Sequence, residues 1–265
     1  MNIGMITCNY FVRLYNYTMP EDFEWNVMSD KWRNEFKKKD FMQLATEIRD
    51  MGYDSLEIWE PTFSFDVYSE EDVAELAKEL RAMGFKSFAY CIGGWGKDAI
   101  PVVDKAYRFA KALGAKVVTG CIKNDAVDVL LPVIEEAGKK YGLVYAIENH
   151  PSPNLESPEE VAAAMAPYET IGANLDTGIY NMQHYDVLKA MDTLKGKIFH
   201  SHFKDTNKGV NACLPIGDGD APLEAVLKRF QKEGYDGMIS VEYEYEGDPT
   251  PGLVKSIKNI NEYMK

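Results

Sequence analysis

LVYAIENH, residues 143–150, sets the pattern for the whole chain. Leu143, Val144, Tyr145, Ala146 and Ile147 form an unbroken apolar run, the signature of a strand buried on both faces in a parallel sheet. The run ends abruptly in Glu148, Asn149 and His150, with Pro151 behind them. A buried strand that finishes in a carboxylate and an imidazole places reactive groups at the carboxyl rim of a sheet, where α/β proteins build their sites. Three other strand-like runs finish the same way: IGANLDTG at Asp176, KIFHSHFKD at His202 and GMISVEYEYE at Glu242.

Outward from that stretch the chain alternates. Strands are expected at 2–8, 54–59, 86–92, 116–122, 143–148, 171–176, 197–203 and 238–243. Helices are expected at 40–51, 70–83, 98–113, 125–141, 158–166, 184–195, 221–233 and 251–264. Gly84, Gly114, Gly142 and Gly234 close helices, and Ser157, Pro158 and Glu160 spell a helix start with a capping box. Strict alternation implies parallel strands with right-handed crossovers. Eight units in 265 residues match the roughly 250 typical of a closed (β/α)8 barrel. No G-x-G-x-x-G follows any strand, which removes the main argument for an open dinucleotide-binding sheet. No Ser/Gly-rich linker divides the sequence, so residues 1–265 are expected to form a single domain, a (β/α)8 TIM barrel of the α/β class. Residues 9–39, rich in aromatics, read as a long loop or lid, or as packing against the outer helices.

Composition narrows the chemistry. The formal charge of -13 offers no basic face for phosphates, so nucleic acid is not expected as a partner. An endonuclease acting on abasic DNA, which uses the same kind of barrel, would need a basic rim. Cys8, Cys91, Cys121 and Cys213 show no C-x-x-C pairing and read as small buried residues of a reducing cytoplasm. No signal-peptide pattern and no run of 18 or more apolar residues is expected to engage a membrane.

In a barrel, Glu148, Asp176, His202 and Glu242 fall at consecutive strand ends around one mouth. Three carboxylates and one imidazole converging there are costly unless a cation neutralises them. Oxygen donors with one nitrogen suit Mn²⁺, Mg²⁺ or Co²⁺. His150, two residues beyond Glu148, shares its face if the strand continues, and is a candidate general base. His200 alternates with His202 and is expected one layer deeper, supporting rather than ligating. His184 is expected at the surface. Gly217-Asp218-Gly219-Asp220 reads as a turn near the mouth.

The ends I-E-N-H, L-D-T-G, H-S-H-F-K-D and V-E-Y resemble the xylose-isomerase-like TIM barrels, the sugar phosphate isomerase/epimerase superfamily. The resemblance implies metal ligation by Glu148, Asp176, His202 and Glu242. Lys204 and Asp205 match the family's H-x-K-D run, and Glu57, in L-E-I-W, matches a position at the rim of a sugar pocket. Trp59 and Trp95 are candidates for stacking on substrate. Epimerases of the superfamily commonly carry a histidine three residues after the metal-binding aspartate; here that residue is Ile179. With His150 on offer as a separate base, the set most resembles the catalytic subunit of bacterial C-glycoside deglycosidases. That resemblance implies a metal-dependent lyase that removes the C2 proton of a 3-oxo-glycoside and expels the aglycone by β-elimination. It also implies a smaller β-rich partner subunit in a hetero-oligomer. The alternative is a sugar or keto-sugar isomerase/epimerase with Glu148 and Glu242 as acid and base.

Overall fold

The computed structural model describes residues 1–265. Eight parallel strands close into a barrel: β1 (Asn2–Ile6), β2 (Ser55–Trp59), β3 (Ser87–Trp95), β4 (Val117–Ile122), β5 (Val144–Glu148), β6 (Ile171–Asn174), β7 (Ile198–Phe203) and β10 (Met238–Val241). Pairing runs from β1 around to β10 in order, and β10 closes back on β1 through Asn2 with Met238 and Met5 with Val241. The remaining two strands, β8 (Asp205–Thr206) and β9 (Cys213–Leu214), form an antiparallel hairpin in the connection after β7. Buried strand positions outside the barrel meet α2 (Lys38–Asp50), α3 (Glu70–Ala82), α4 (Val103–Leu113), α5 (Val127–Tyr141), α6 (Pro158–Met165), α8 (Val187–Thr193), α9 (Leu223–Glu233) and α10 (Thr250–Tyr263) in one large apolar core. Inside, Ala89, Val117, Ala146 and Met238 make a small separate cluster, which plugs the barrel below its polar mouth.

The expected (β/α)8 barrel is the observed one, and several boundaries differ for physical reasons. Residues 9–39 are not a single loop. Short 3₁₀ turns at Thr7–Tyr10 and Arg13–Tyr15 lead to α1 (Trp25–Glu35). Only Met28 and Trp32 of α1 are buried, one helical turn apart, so the apolar stripe is too thin to mark a helix by periodicity. Trp32 explains why the segment is ordered: its indole donates to Phe11 O at 2.9 Å and its ring packs on Phe36 and Trp59. Before α4, residues Lys97–Val102 form a 3₁₀ turn containing Pro101, which has no N–H to give an α-helix. A short helix, α7 (Thr177–Met182), precedes α8 where one helix was expected at 184–195; its start is Asp176 itself, whose side chain caps it. β3 runs three residues past its expected end, with an irregularity between Cys91 and Gly94. The β6 and β10 ladders stop at Asn174 and Val241, so Asp176 and Glu242 lie just beyond them. The capping box at Ser157 and Glu160 is present, and Gly142 ends α5 in the left-handed conformation, φ 67°. No helix is long and apolar enough to cross a membrane.

Candidate metal centre

The four strand ends meet. One donor atom from each of Glu148, Asp176, His202 and Glu242 lies within 4.8 Å of the others, and all four residues are buried. Their backbones are held by side chains rather than by ladder bonds alone. Asp176 N donates to Asn149 Oδ1 at 2.9 Å and Asn149 Nδ2 donates back to Asp176 O at 3.2 Å, clamping the end of β5 to the end of β6. His202 N donates to Asn174 Oδ1 at 2.9 Å, which fixes β7 against β6.

His202 is gripped through both ring nitrogens. Nε2 lies 3.2 Å from Glu57 Oε2, while Nδ1 lies 3.0 Å from Glu242 Oε2 and 3.3 Å from Glu148 Oε1. The ring therefore turns Nδ1 toward Glu148 and Glu242 and Nε2 toward Glu57. Glu57 is not at the rim, where the family resemblance had placed it. It is wholly buried inside the barrel, where Thr119 Oγ1 donates to it at 2.5 Å and His200 Nε2 lies 2.9 Å away. Burial alone would raise its pKa, but His200 and His202 outweigh that and hold it well below the usual carboxylate range. His202 is opposed by burial and still pushed well up by Glu242, Glu57 and Glu148. His200 takes the deeper supporting place expected of it, beneath His202.

Two oxygens stand out. Asp176 Oδ1 accepts from Ile179 N at 2.8 Å, while Asp176 Oδ2 and Glu242 Oε2 are buried without a hydrogen-bond partner. Both touch the Lys204 ammonium, at 3.3 and 3.1 Å, in ionic contacts that lack hydrogen-bond geometry. The one side-chain hydrogen bond of that ammonium goes to Glu244 Oε2, at 3.1 Å. Burial raises Asp176 to about 7, with Lys204 opposing and Glu242 and Glu148 adding to the rise. Glu242 is moved the other way: Lys204 and His202 overcome its burial and hold it far below the ordinary value. Buried carboxylate oxygens held by ionic contacts alone, without hydrogen bonds, are costly. Three carboxylates and an imidazole nitrogen gathered at this spacing fit a hard divalent cation, whose ligands sit at about 2.0–2.6 Å.

The other expected site residues fall in different places. β5 stops at Glu148, so strand alternation does not extend to His150. The His150 ring is half-buried and accepts from Asn154 Nδ2 at 3.3 Å, and it is not among the clustered donors. Asp205 faces away from the cluster. Its carboxylate takes the amides of Gly217, Gly219 and Thr206, at 2.7, 3.0 and 2.9 Å, and so pins the Gly-Asp-Gly-Asp turn. Trp59 and Trp95 end β2 and β3 and are buried. Trp59 meets Trp32 edge-on at 6.2 Å, and Trp95 lies parallel to Tyr145 at 6.3 Å. Asp218 pairs with Lys255 on the surface. Sequence reasoning missed Asn149, Asn174 and Glu244. Glu244 lies two residues past Glu242 in V-E-Y-E, beyond the end of β10, and both carboxylates touch Lys204.

Residues 45–263 match the family model described as xylose isomerase-like TIM barrel. A candidate hydroxypyruvate isomerase of Streptomyces coelicolor is 28% identical over 170 residues, 56% of this chain and 60% of that protein. The chain spans about half the length of the curated relatives it matches, 43% to 60%. Among solved structures, a D-tagatose 3-epimerase-like protein superposes with a TM-score of 0.73 at 20% identity, covering 100% of this chain and 97% of that one. The 3-keto-D-glucoside 4-epimerase of E. coli superposes with a TM-score of 0.65 at 14% identity, covering 99% of each chain.

Proposed function

The chain belongs to the xylose isomerase-like TIM barrel family, and from that premise we propose that it is a divalent-metal-dependent enzyme that isomerises or epimerises a sugar or keto-sugar. The observation that carries this reading is the buried donor set, in which Asp176 Oδ2 and Glu242 Oε2 lack hydrogen bonds and His202 Nδ1 faces Glu242. Mn²⁺, Mg²⁺ or Co²⁺ fits these donors. When bound, the ion would polarise a substrate carbonyl and its neighbouring hydroxyl and so acidify the C–H between them. Glu148 and Glu242 are then the two carboxylates able to take that proton and return it, to the same carbon in an epimerisation or to the adjacent carbon in an isomerisation. Glu57 keeps His202 in one orientation throughout. Lys204 supplies a fixed positive charge beside the developing oxyanion. The names of the relatives, a hydroxypyruvate isomerase candidate and a 3-epimerase-like fold, agree with proton transfer next to a carbonyl.

A second reading keeps the same site and adds His150 as base. It takes a 3-oxo-glycoside, removes the C2 proton, forms the C1–C2 double bond and releases the aglycone with the electron pair of the broken C1 bond. The half-buried His150 ring, oriented by Asn154 just past Glu148, favours it, and the 3-keto-D-glucoside enzyme of the same fold bears on its substrate class. In that reading a smaller β-rich subunit would accompany the chain.

The test is incubation of Mn²⁺-loaded protein in D₂O with free ketoses and with 3-oxo-C- and O-glucosides, followed by mass spectrometry. Deuterium entering ketoses next to the carbonyl, with their interconversion, supports the isomerase reading. Free aglycone supports the lyase reading. Neither exchange nor release from any of these substrates contradicts both.

A further inference from the structure

We propose that Glu244 is a positioning residue: it anchors the Lys204 ammonium and thereby keeps Asp176 Oδ2 and Glu242 Oε2 open to a divalent cation. The inference rests on the metal-dependent reading above and concerns what sets the affinity of that site.

Lys204 is a buried cation among three carboxylates, with Nζ 3.1 Å from Glu244, 3.1 Å from Glu242 and 3.3 Å from Asp176. The two oxygens it touches on Asp176 and Glu242 are the same two that lack hydrogen bonds. An ammonium and a divalent ion drawn to the same oxygens compete for them. Glu244 breaks the tie. It alone among the three receives a side-chain hydrogen bond from Lys204, and it is the one with its side chain partly open to solvent, at 26% exposure against 0% and 6% for Asp176 and Glu242. It can therefore hold the ammonium at the edge of the cluster while staying out of the cluster itself.

The path of the lysine stem is built in as well. A Cβ on Gly178 would lie 2.5 Å from Lys204 Cγ and 2.7 Å from its Cδ, so the glycine of L-D-T-G makes room for the stem to run across α7 toward Glu244. Thr177 Oγ1 fixes the lysine backbone, accepting from Lys204 N at 3.0 Å. With its stem confined and its head hydrogen-bonded to Glu244, Lys204 meets Asp176 and Glu242 in ionic contact without donating a hydrogen bond to either.

The measurement is Mn²⁺ affinity, read from the electron paramagnetic resonance signal of free Mn²⁺. It is made on the intact chain and on Glu244→Gln, Lys204→Met and the double variant. Loss of the anchor turns the ammonium onto Asp176 and Glu242, so Glu244→Gln is expected to weaken Mn²⁺ binding by roughly tenfold or more, the scale of outer-sphere effects on metal affinity. With Lys204 replaced, the same Glu244→Gln change is expected to have no further effect. Equal weakening in both backgrounds would make Glu244 a ligand or a plain negative charge and overturn the proposal, as would unchanged affinity in Glu244→Gln. Failure of the unaltered chain to bind Mn²⁺ at all would instead overturn the metal reading beneath it. If Lys204→Met does not fold, Lys204→Gln serves in its place.

Discussion

His202 is held from two sides, and that grip explains more of the site than any ligand alone. Its Nε2 faces Glu57 and its Nδ1 faces Glu148 and Glu242. A carboxylate behind a ligating imidazole fixes its tautomer and raises its basicity. Glu57→Gln is therefore expected to lower Mn²⁺ affinity by about 10- to 100-fold, measured by equilibrium titration. An affinity within experimental error of the parent chain would remove Glu57 from the site's support. His150 separates the two functional readings. Under the isomerase reading His150→Ala leaves Mn²⁺ binding and ketose turnover near normal. Under the lyase reading it keeps the metal and abolishes aglycone release, because only the base is lost.

At the scale of elements, polar side chains lock the strand ends and the loops between them. Glu135 of α5 shows how. It takes the amides of Glu169 and Thr170 at 3.0 and 2.9 Å and the Thr170 hydroxyl at 2.6 Å, tying the helix to the turn that launches β6. Burial would raise its pKa, but these donors and Lys139 bring it down to about 2. A carboxyl depressed in the folded state lends stability above its unfolded pKa of about 4.3 and loses it as pH falls toward 2. Glu135→Ala should cost about 0.5–1.5 kcal/mol near neutral pH, where it removes the part-buried hydrogen bonds from Glu169 and Thr170. In urea titrations the gap to the parent chain should narrow between about pH 4.3 and pH 2. A gap independent of pH would show that the carboxylate charge contributes nothing.

These elements also show what could be read in the sequence. The strands announced themselves because both faces are buried and the apolar runs are unbroken, and the helices because glycine stops and a capping box mark their ends. The ligand candidates were visible for the same reason: a charged residue ending an apolar run is conspicuous. What stayed hidden depends on pairs distant in sequence. Glu57 and His200 are 143 positions apart, and nothing local says that the carboxylate lies under the histidine rather than at the rim. Asp205 sits in a matching run, yet its carboxylate belongs to a turn 12 residues on. α1 escaped because only two of its residues reach the core.

For the whole molecule, one buried cluster concentrates charge that the fold must tolerate. Glu57, Glu148, Asp176 and Glu242 are buried in a chain of net charge -13, with Lys204 as the nearby cation and His202 and His200 as the nearby imidazoles. A ligand that binds only the folded chain stabilises it by about 2.7 kcal/mol at a concentration 100 times its Kd. For a chain of this size that corresponds to a rise in Tm of roughly 5–10 °C. Differential scanning calorimetry with Mn²⁺, and with Ca²⁺ as a larger comparison ion, checks it. An unchanged Tm with Mn²⁺ would mean that the acidic mouth does not act as a cation site.

The most direct test of the central claim is a crystal soaked in Mn²⁺ and measured at a wavelength where manganese scatters anomalously. One strong anomalous peak is expected between Glu148, Asp176, His202 Nδ1 and Glu242, with Lys204 turned to Glu244. A peak elsewhere, or none within bonding reach of these four residues, would contradict the account.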